Sequence, residues 1–366
     1  MGKKKIKKDK SNISQNNLPN VSICTPTFNR RPFFNGLIEC IKNQDYPHNK
    51  IEWIIVDDGT DSIKDLFTHE ETIKYLEPIK IRYFYVDEKM DLGKKRNYMH
   101  KQCTFTNDED ILVYIDDDDY YPPERVSHSV KRLMQNKDTL CGGSSELFLW
   151  FNTLNKMYKF GPYGPNHATA GTFAFKRKLL KETSYEDEAI LAEEKHFLKN
   201  YTIPFVQFDS LKTILVVSHE QNTFDKKKLL TKDNKFVKES NLTVKNFIKD
   251  KKLENFYHSE INELLKNYEA GRVENKPKVL KEIARREKER EEMAKNALKN
   301  QENKLSGISI KNSKTNQVKE LTINECKQIM IGKMNECENL KNEINKLKIE
   351  NDKLKKENDD LKNKLD

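Results

Sequence analysis

Cysteine is scarce and scattered: Cys24, Cys40, Cys103, Cys141, Cys326 and Cys337 are the six in the chain, and no two form a Cys-x-x-Cys pair. That spacing gives no zinc site, and the density falls far short of a secreted disulfide scaffold, so the thiols read as reduced. Long apolar runs are also missing. No segment approaches the roughly 20 residues a membrane helix needs, and no apolar stretch follows the basic start as it would in a secretory leader. The expectation is a cytoplasmic protein with no membrane span. Asn12, Asn200 and Asn241 fit the glycosylation sequon, which carries little weight without an entry signal. Gly2 lacks the Ser or Thr that a myristoylation signal wants where Ile6 stands.

What is plentiful is charge, with 67 Lys and Arg against 58 Asp and Glu, a formal balance of +9. Such an excess can serve nucleic-acid binding by counterion release. Here six of the lysines crowd into Met1 to Lys10 and the rest alternate with acids, so we expect a disordered basic tail over residues 1–19 and no nucleic-acid partner. Composition then splits the chain. Residues 20–220 hold both Trp residues and most of the aromatics, Pro and Gly, whereas residues 225–366 are dominated by Lys, Glu and Asn. Only the first part has the means to bury a large core.

Within that part, short apolar runs bounded by Asp, Gly or Pro alternate with helical stretches. Strands are predicted at Val21 to Cys24, Ile51 to Val56, Ile81 to Val86 and Ile111 to Ile115, with helices over roughly 31–44 and Gly93 to Lys101. Strands separated by helices imply right-handed crossovers and a mostly parallel α/β sheet, whose ligands sit beyond the carboxyl ends of its strands. Three successive strand ends carry polar residues suited to binding. After residue 225 a helical extension is expected to about 300, then a linker over 301–322. From Ile323 a heptad begins, with Cys326, Lys333, Leu340, Leu347, Leu354 and Leu361 at d and Ile323, Met330, Cys337, Ile344, Asn351, Asn358 and Leu365 at a. Leucine at strict seven-residue spacing predicts a coiled coil over 323–366. Asn at two successive a positions favours a parallel homodimer, because a staggered pairing would bury an amide against leucine.

The strongest chemical signal is the run Asp116-Asp117-Asp118-Asp119 at the end of an apolar strand and before Pro122-Pro123. Four adjacent carboxylates repel one another, and a hard divalent cation with oxygen ligands would compensate them while holding a diphosphate. The first strand runs into Pro26-Thr27-Phe28-Asn29-Arg30, which places a hydroxyl, a stacking face and a cation at a strand end. The second runs into Asp57-Asp58-Gly59-Thr60, where a carboxylate is placed to accept from a base N–H or a ribose hydroxyl.

Taken together with Gly93-Lys94-Lys95-Arg96-Asn97, these segments resemble the GT-A glycosyltransferases of the family 2 type over residues 20–225. The resemblance implies a Rossmann-like nucleotide-sugar domain. It puts Pro26, Thr27, Phe28, Asn29 and Arg30 around the nucleotide, with Phe28 near the base and Asp58 accepting from its N3–H, which implies uracil. It also implies Lys95, Arg96 and Asn97 beside the nucleotide, Asp116 and Asp117 near ribose and metal, and Asp118 as the metal ligand of a D-x-D motif. Ala192-Glu193-Glu194 resembles the family's Glu-Asp motif, with Glu194 in place of the usual Asp; it would be the base that takes the acceptor proton in an inverting transfer. His219, after an apolar run, would complete the shell of Mn²⁺ or Mg²⁺ with Asp116 and Asp118. The segment His167 to Thr172 resembles the loop beneath the sugar.

The implied substrates are a UDP-sugar donor and a sugar, peptide or lipid hydroxyl. The chain lacks the Gln-x-x-Arg-Trp motif and the membrane helices of processive synthases, which argues against polymer extrusion, and it lacks a lectin-like second domain. A nucleotidyltransferase is the enzymatic alternative, though it should carry a Gly-rich basic signature after the first strand. A degenerate scaffold acting through its coiled coil is the non-enzymatic one, though an intact acid block argues against degeneracy.

Overall fold

A computed structural model describes residues 17–230, 234–303, 309–311, 316–321 and 323–362. The chain divides into two compact units, 1–283 and 284–366. The elements of the first begin with β1 (Val21–Thr27), α1 (Phe34–Lys42), β2 (Ile51–Asp57), α2 (Lys64–Thr68), α3 (Glu70–Leu76), β3 (Lys80–Tyr85), α4 (Leu92–Gln102), β4 (Ile111–Tyr114) and α5 (Arg125–Gln135). They continue with β5 (Cys141–Gly143), β6 (Leu147–Phe151), β7 (Lys156–Phe160), β8 (Ala174–Lys176), α6 (Glu194–Phe197), β9 (Phe205–Gln207) and β10 (Leu215–Ser218). After these come β11 (Val237–Glu239), α7 (Val244–Phe247), α8 (Lys251–Asn255), α9 (Ile261–Lys266) and the start of α10 (Pro277–Asn303).

Seven strands form the main sheet in the order β3-β2-β1-β4-β8-β5-β9. The first four are parallel, and β8 then enters antiparallel to both β4 and β5. Alternation along each strand sends apolar side chains to both faces. Ile23, Trp53, Ile55 and Val113 join one buried cluster with Leu37, Val130 and Leu133, while Cys24, Ile54, Val56, Leu112 and Tyr114 join a second with Met99. Such two-sided burial is why these strands read as continuous apolar runs. A smaller sheet, β10-β6-β7-β11, stands beside the first.

Two local features set up the site. The strand predicted to stop at Cys24 continues through Thr25-Pro26-Thr27, where Pro26 lies opposite Val56. Proline is tolerated there because β1 pairs with β4 only as far as Cys24, leaving that side of the strand unpaired beyond it. The parallel register then aligns Thr27, Asp57 and Tyr85 at one edge of the sheet.

The first unit also reaches beyond the boundary expected at residue 225. Val244, Phe247, Ile248, Leu253, Phe256, Tyr257, Ile261 and Leu265 are buried in the same cluster as β1 and β2, and β11 closes the smaller sheet, so the segment expected as a helical extension contributes core and strand. The second unit contains the rest of α10, a hairpin of β12 (Ser309–Lys311) and β13 (Val318–Glu320) inside the expected linker, and α11 (Ile323–Lys362). Along α11 the heptad positions Met330, Leu340, Ile344, Leu347 and Leu354 are exposed in the single chain. The basic tail to residue 16 and the heptad position Leu365 lie outside the described residues. Among the described residues no helix is long and apolar enough to cross a membrane.

Candidate active site

The ends of β1 and β2 are tied together by their own side chains. Asp57 accepts from Gly59 N at 2.9 Å, Ile63 N at 3.1 Å and the Tyr83 hydroxyl at 2.7 Å, so it shapes the turn that follows. Asp58 accepts from Met90 N at 2.7 Å and from the Lys95 ammonium, which also donates to Thr27 O at 2.8 Å. The Asp58 side chain is 0% exposed. The Asp58 carboxylate, expected to accept from a base N3–H, already receives one donor on each oxygen, and Lys95 stitches β1 to β2.

Asn29 has a left-handed backbone, φ 52°, a region asparagine tolerates better than most residues. It accepts from Asp61 N at 3.0 Å and donates to Ala270 O at 2.9 Å, acting as a clamp. The face of Phe28, expected near the base, carries the Lys89 ammonium 3.7 Å from the ring centroid.

From α4, Arg96 and Asn97 diverge. Arg96 donates through Nε to Glu193 Oε1 at 2.8 Å, lies over the Tyr114 ring at 4.3 Å, and brings Nη2 to 3.8 Å from Asp116 Oδ1. Its Nη1 is buried without a hydrogen-bond partner among the described residues. Asn97, expected beside the nucleotide, bonds Tyr185 O and N at 2.9 and 3.0 Å and Asp187 at 2.7 Å, so its amide anchors the 185–187 loop.

The four acids after β4 separate into different jobs. Asp119 accepts from Val217 N at 2.9 Å and so ties the block to β10. Burial, then the Asp118 charge, push its carboxyl well above the usual range. Asp116 is raised too, by burial first; its Oδ1 has no hydrogen-bond partner among the described residues, and Gly171 packs on its Oδ2 so closely that any side chain there would collide. Of the Asp117–Asp118 pair, Asp117 is pushed up to about 7 by burial and by the neighbouring charge. Asp118 remains the ionised member: burial opposes ionisation, but His219 and Arg30 beside it outweigh burial. Arg30 Nε is 3.5 Å from Asp118 and 4.0 Å from Asp117, while its other nitrogens donate to Gly271 O at 3.1 Å and Gln221 O at 2.7 Å.

β10 delivers His219. Asn222 Oδ1 accepts from His219 N at 2.9 Å, which turns its Nδ2 toward His219 Nε2 at 2.7 Å, while His219 Nδ1 is buried without a hydrogen-bond partner among the described residues. Nε2 also lies 3.1 Å from Asp118 Oδ2. Burial pushes His219 down to about 4, which keeps the ring neutral near pH 7. A neutral imidazole and an ionised carboxylate can each give a lone pair to a cation, and 3.1 Å matches the spacing of about 3 Å between adjacent ligands of a small octahedral ion. Among the described residues no group of three or more His, Cys, Asp or Glu side chains is gathered to hold a metal, so the expected trio reduces to Asp118 and His219, with Asp116 drawn to Arg96 instead. Two protein ligands suit an ion that takes its remaining ligands from phosphate and water. The donor set fits.

Glu193 and Glu194 also differ. Glu193 is buried against Arg96, an arrangement only the Glu-Glu doublet hinted at. Glu194 begins α6, half-buried, and its charge, after burial, raises the Tyr201 phenol. The residue before them, Ala192, is held at φ 53°.

Residues 22–185 match the family described as Glycosyl transferase family 2. A putative teichuronic acid biosynthesis glycosyltransferase, TuaG of Bacillus subtilis (strain 168), is 25% identical over 118 residues, which is 32% of this chain and 43% of that protein. The chain thus spans less than half the length of that curated relative. Among solved structures, Staphylococcus aureus TarS 1–349 in complex with UDP-GlcNAc aligns with 18% identity and a TM-score of 0.40, covering 55% of this chain and 59% of that one. Mannosyltransferase PcManGT of Pyrobaculum calidifontis, in complex with GDP-Man and Mn²⁺, aligns with 16% identity and a TM-score of 0.41, covering 54% and 58%. Residues 22–185, under half of the chain, are thus similar to the family 2 glycosyltransferases, and they lie in a mixed α/β sheet flanked by helices with the acid block beyond its parallel strands.

Proposed function

We propose that the chain moves a sugar from a UDP-sugar to a hydroxyl of a sugar, peptide or lipid acceptor, with inversion and with Mn²⁺ or Mg²⁺. The observation that carries this reading is the end of β4, where Asp118 lies 3.1 Å from His219 Nε2 and 3.5 Å from Arg30, and Asp116 lies 3.8 Å from Arg96. Asp118 and His219 would hold the ion, which when bound neutralises the charge of the departing diphosphate.

The rest of the work belongs to the chain's own groups. Glu193 locks Arg96 in place, leaving Nη1 to donate to a phosphate or sugar oxygen. Asp116 Oδ1 is open to accept from a ribose hydroxyl. Lys89 must leave the Phe28 face before a base can stack there. Glu194 takes the proton of the acceptor hydroxyl as that oxygen attacks the anomeric carbon and the bond to the diphosphate breaks.

The test is a panel of nucleotide-sugars incubated with Mn²⁺ and an acceptor mixture. UDP release that stops on chelation supports the reading. Consumption of no nucleotide-sugar, or indifference to chelation, would count against it.

For α11 we propose a parallel pairing with a second copy. Its apolar stripe is exposed in the single chain, and Asn351 and Asn358 would meet their counterparts only in register.

A further inference from the structure

Lys276 is 7% exposed and carries a charge that the fold leaves without an anion. Its ammonium donates to the neutral Thr223 hydroxyl at 3.2 Å and lies 5.8 Å from the Phe28 ring; among the described residues it forms no ion pair. Burying an ammonium in this way is costly unless an opposite charge comes to it. Burial, then Arg30, push it down to about 7, while Asp117 and Asp118 pull the other way, so it feels the acid block without touching it.

The segment that carries Lys276 is fixed to the site by the site's own residues. Tyr268 donates to Asp61 at 2.8 Å and Gln221 donates to Tyr268 O at 2.6 Å. Asn29 and Arg30 donate to the carbonyls of Ala270 and Gly271 at 2.9 and 3.1 Å. Gly271 passes so close to Gln221 that a side chain there would collide. The strap therefore crosses the end of β1 and leaves Lys276 between Phe28 and Thr223. Lys89 is a second cation at the Phe28 ring, and Arg30 is near enough to depress Lys276, a cluster that calls for a multiply charged anion.

We infer that Lys276 is a donor-binding residue whose ammonium pairs with the diphosphate of the nucleotide-sugar. This rests on the glycosyltransferase reading and adds a residue to it from far beyond the segment that matches the family. A diphosphate is the anion that supplies two or more charges next to a nucleobase-sized aromatic face, whereas a carboxylate would supply one.

The experiment is calorimetric titration of the full chain with UDP in the presence of Mn²⁺, for the wild type, Lys276→Met and Lys276→Arg, together with their melting temperatures. Lys276→Met should weaken UDP binding by about tenfold or more, the scale of one charge-assisted contact to phosphate. Its melting temperature should hold or rise, since an unpaired buried charge has been removed. Lys276→Arg should bind within a few-fold of the wild type. Wild-type affinity in Lys276→Met would overturn the inference while leaving the reading of the site intact. A loss of affinity that comes with a lower melting temperature and is not restored by arginine would also overturn it, since it would make Lys276 a structural prop. If the wild type binds neither UDP nor GDP, the glycosyltransferase reading fails and the inference falls with it.

Discussion

The ends of β2 and β4 both carry adjacent aspartates after a buried apolar strand, yet they are chemically unlike. At β2 the oxygens of Asp57 and Asp58 are taken up by Gly59, Ile63, Tyr83, Met90 and Lys95. At β4, among the described residues, Asp119 is the acid used in this way, by Val217 N. Asp116 keeps an oxygen without a hydrogen bond among the described residues, and Asp118 lies 3.1 Å from His219 Nε2. A carboxylate whose oxygens the fold has already engaged shapes a turn, whereas one that keeps an open oxygen or meets a neutral imidazole is suited to a cation or a donor. Identical dipeptides thus have their oxygens engaged by the fold at one strand end and left more open at the next.

The sharpest break of this comparison is Asp118→Ala. It should lower turnover by more than about 10³-fold and abolish Mn²⁺-dependent UDP binding, with the fold intact, because it removes a ligand and relieves repulsion at once. Turnover in saturating Mn²⁺ checks it, and retained metal-dependent activity would sink the assignment of Asp118.

Next is Glu194→Gln, which should keep UDP affinity and lose transfer by roughly 10² to 10⁴-fold, the worth of a positioned base. The same change at Glu193 tests the division of labour between the two acids: it should weaken donor binding as well, because Arg96 would be unlocked. Single-turnover rates measured alongside UDP affinity separate the two, and a near wild-type transfer rate in Glu194→Gln would move the base to Glu193.

At the β2 end the expected effect is on stability. Asp57→Ala should cost about 3 kcal/mol, since it strands two backbone donors and a tyrosine hydroxyl that now share one buried carboxylate. Denaturant unfolding reads this directly, and an unchanged midpoint would show that Asp57 is not scaffold.

The smallest effect is expected from removing residues beyond 303. The shortened chain should be monomeric by light scattering and turn over at the rate of the full chain, which should itself be dimeric at micromolar concentration. A monomeric full chain would refute pairing through α11.

How much of this was legible in the sequence follows from where each residue gets its environment. The parallel strands were readable because two-sided burial demands unbroken apolar runs, as in Ile51–Asp57. The acid block was readable because four like charges in a row need a local reason. The core role of residues 244–265 was not, since Phe247, Leu253, Phe256 and Ile261 are set among Lys, Asn and Glu and look like a solvated helix. Nor was the fate of Asn97, whose amide is claimed by Tyr185 and Asp187 from a distant loop. Lys276 was invisible for the same reason: nothing next to it in the chain buries it, and its burial arises only when the strap crosses β1.

The central claim is that the end of β4 binds a nucleotide diphosphate together with a divalent ion. A ligand that binds only the folded state must raise its melting temperature. Melting should therefore be followed for the wild type and Asp118→Ala with UDP alone, with Mn²⁺ alone and with both. The account predicts a rise in the wild type that is largest with both present and absent in Asp118→Ala. An equal rise in the two proteins, or none in the wild type at millimolar UDP and Mn²⁺, would contradict it.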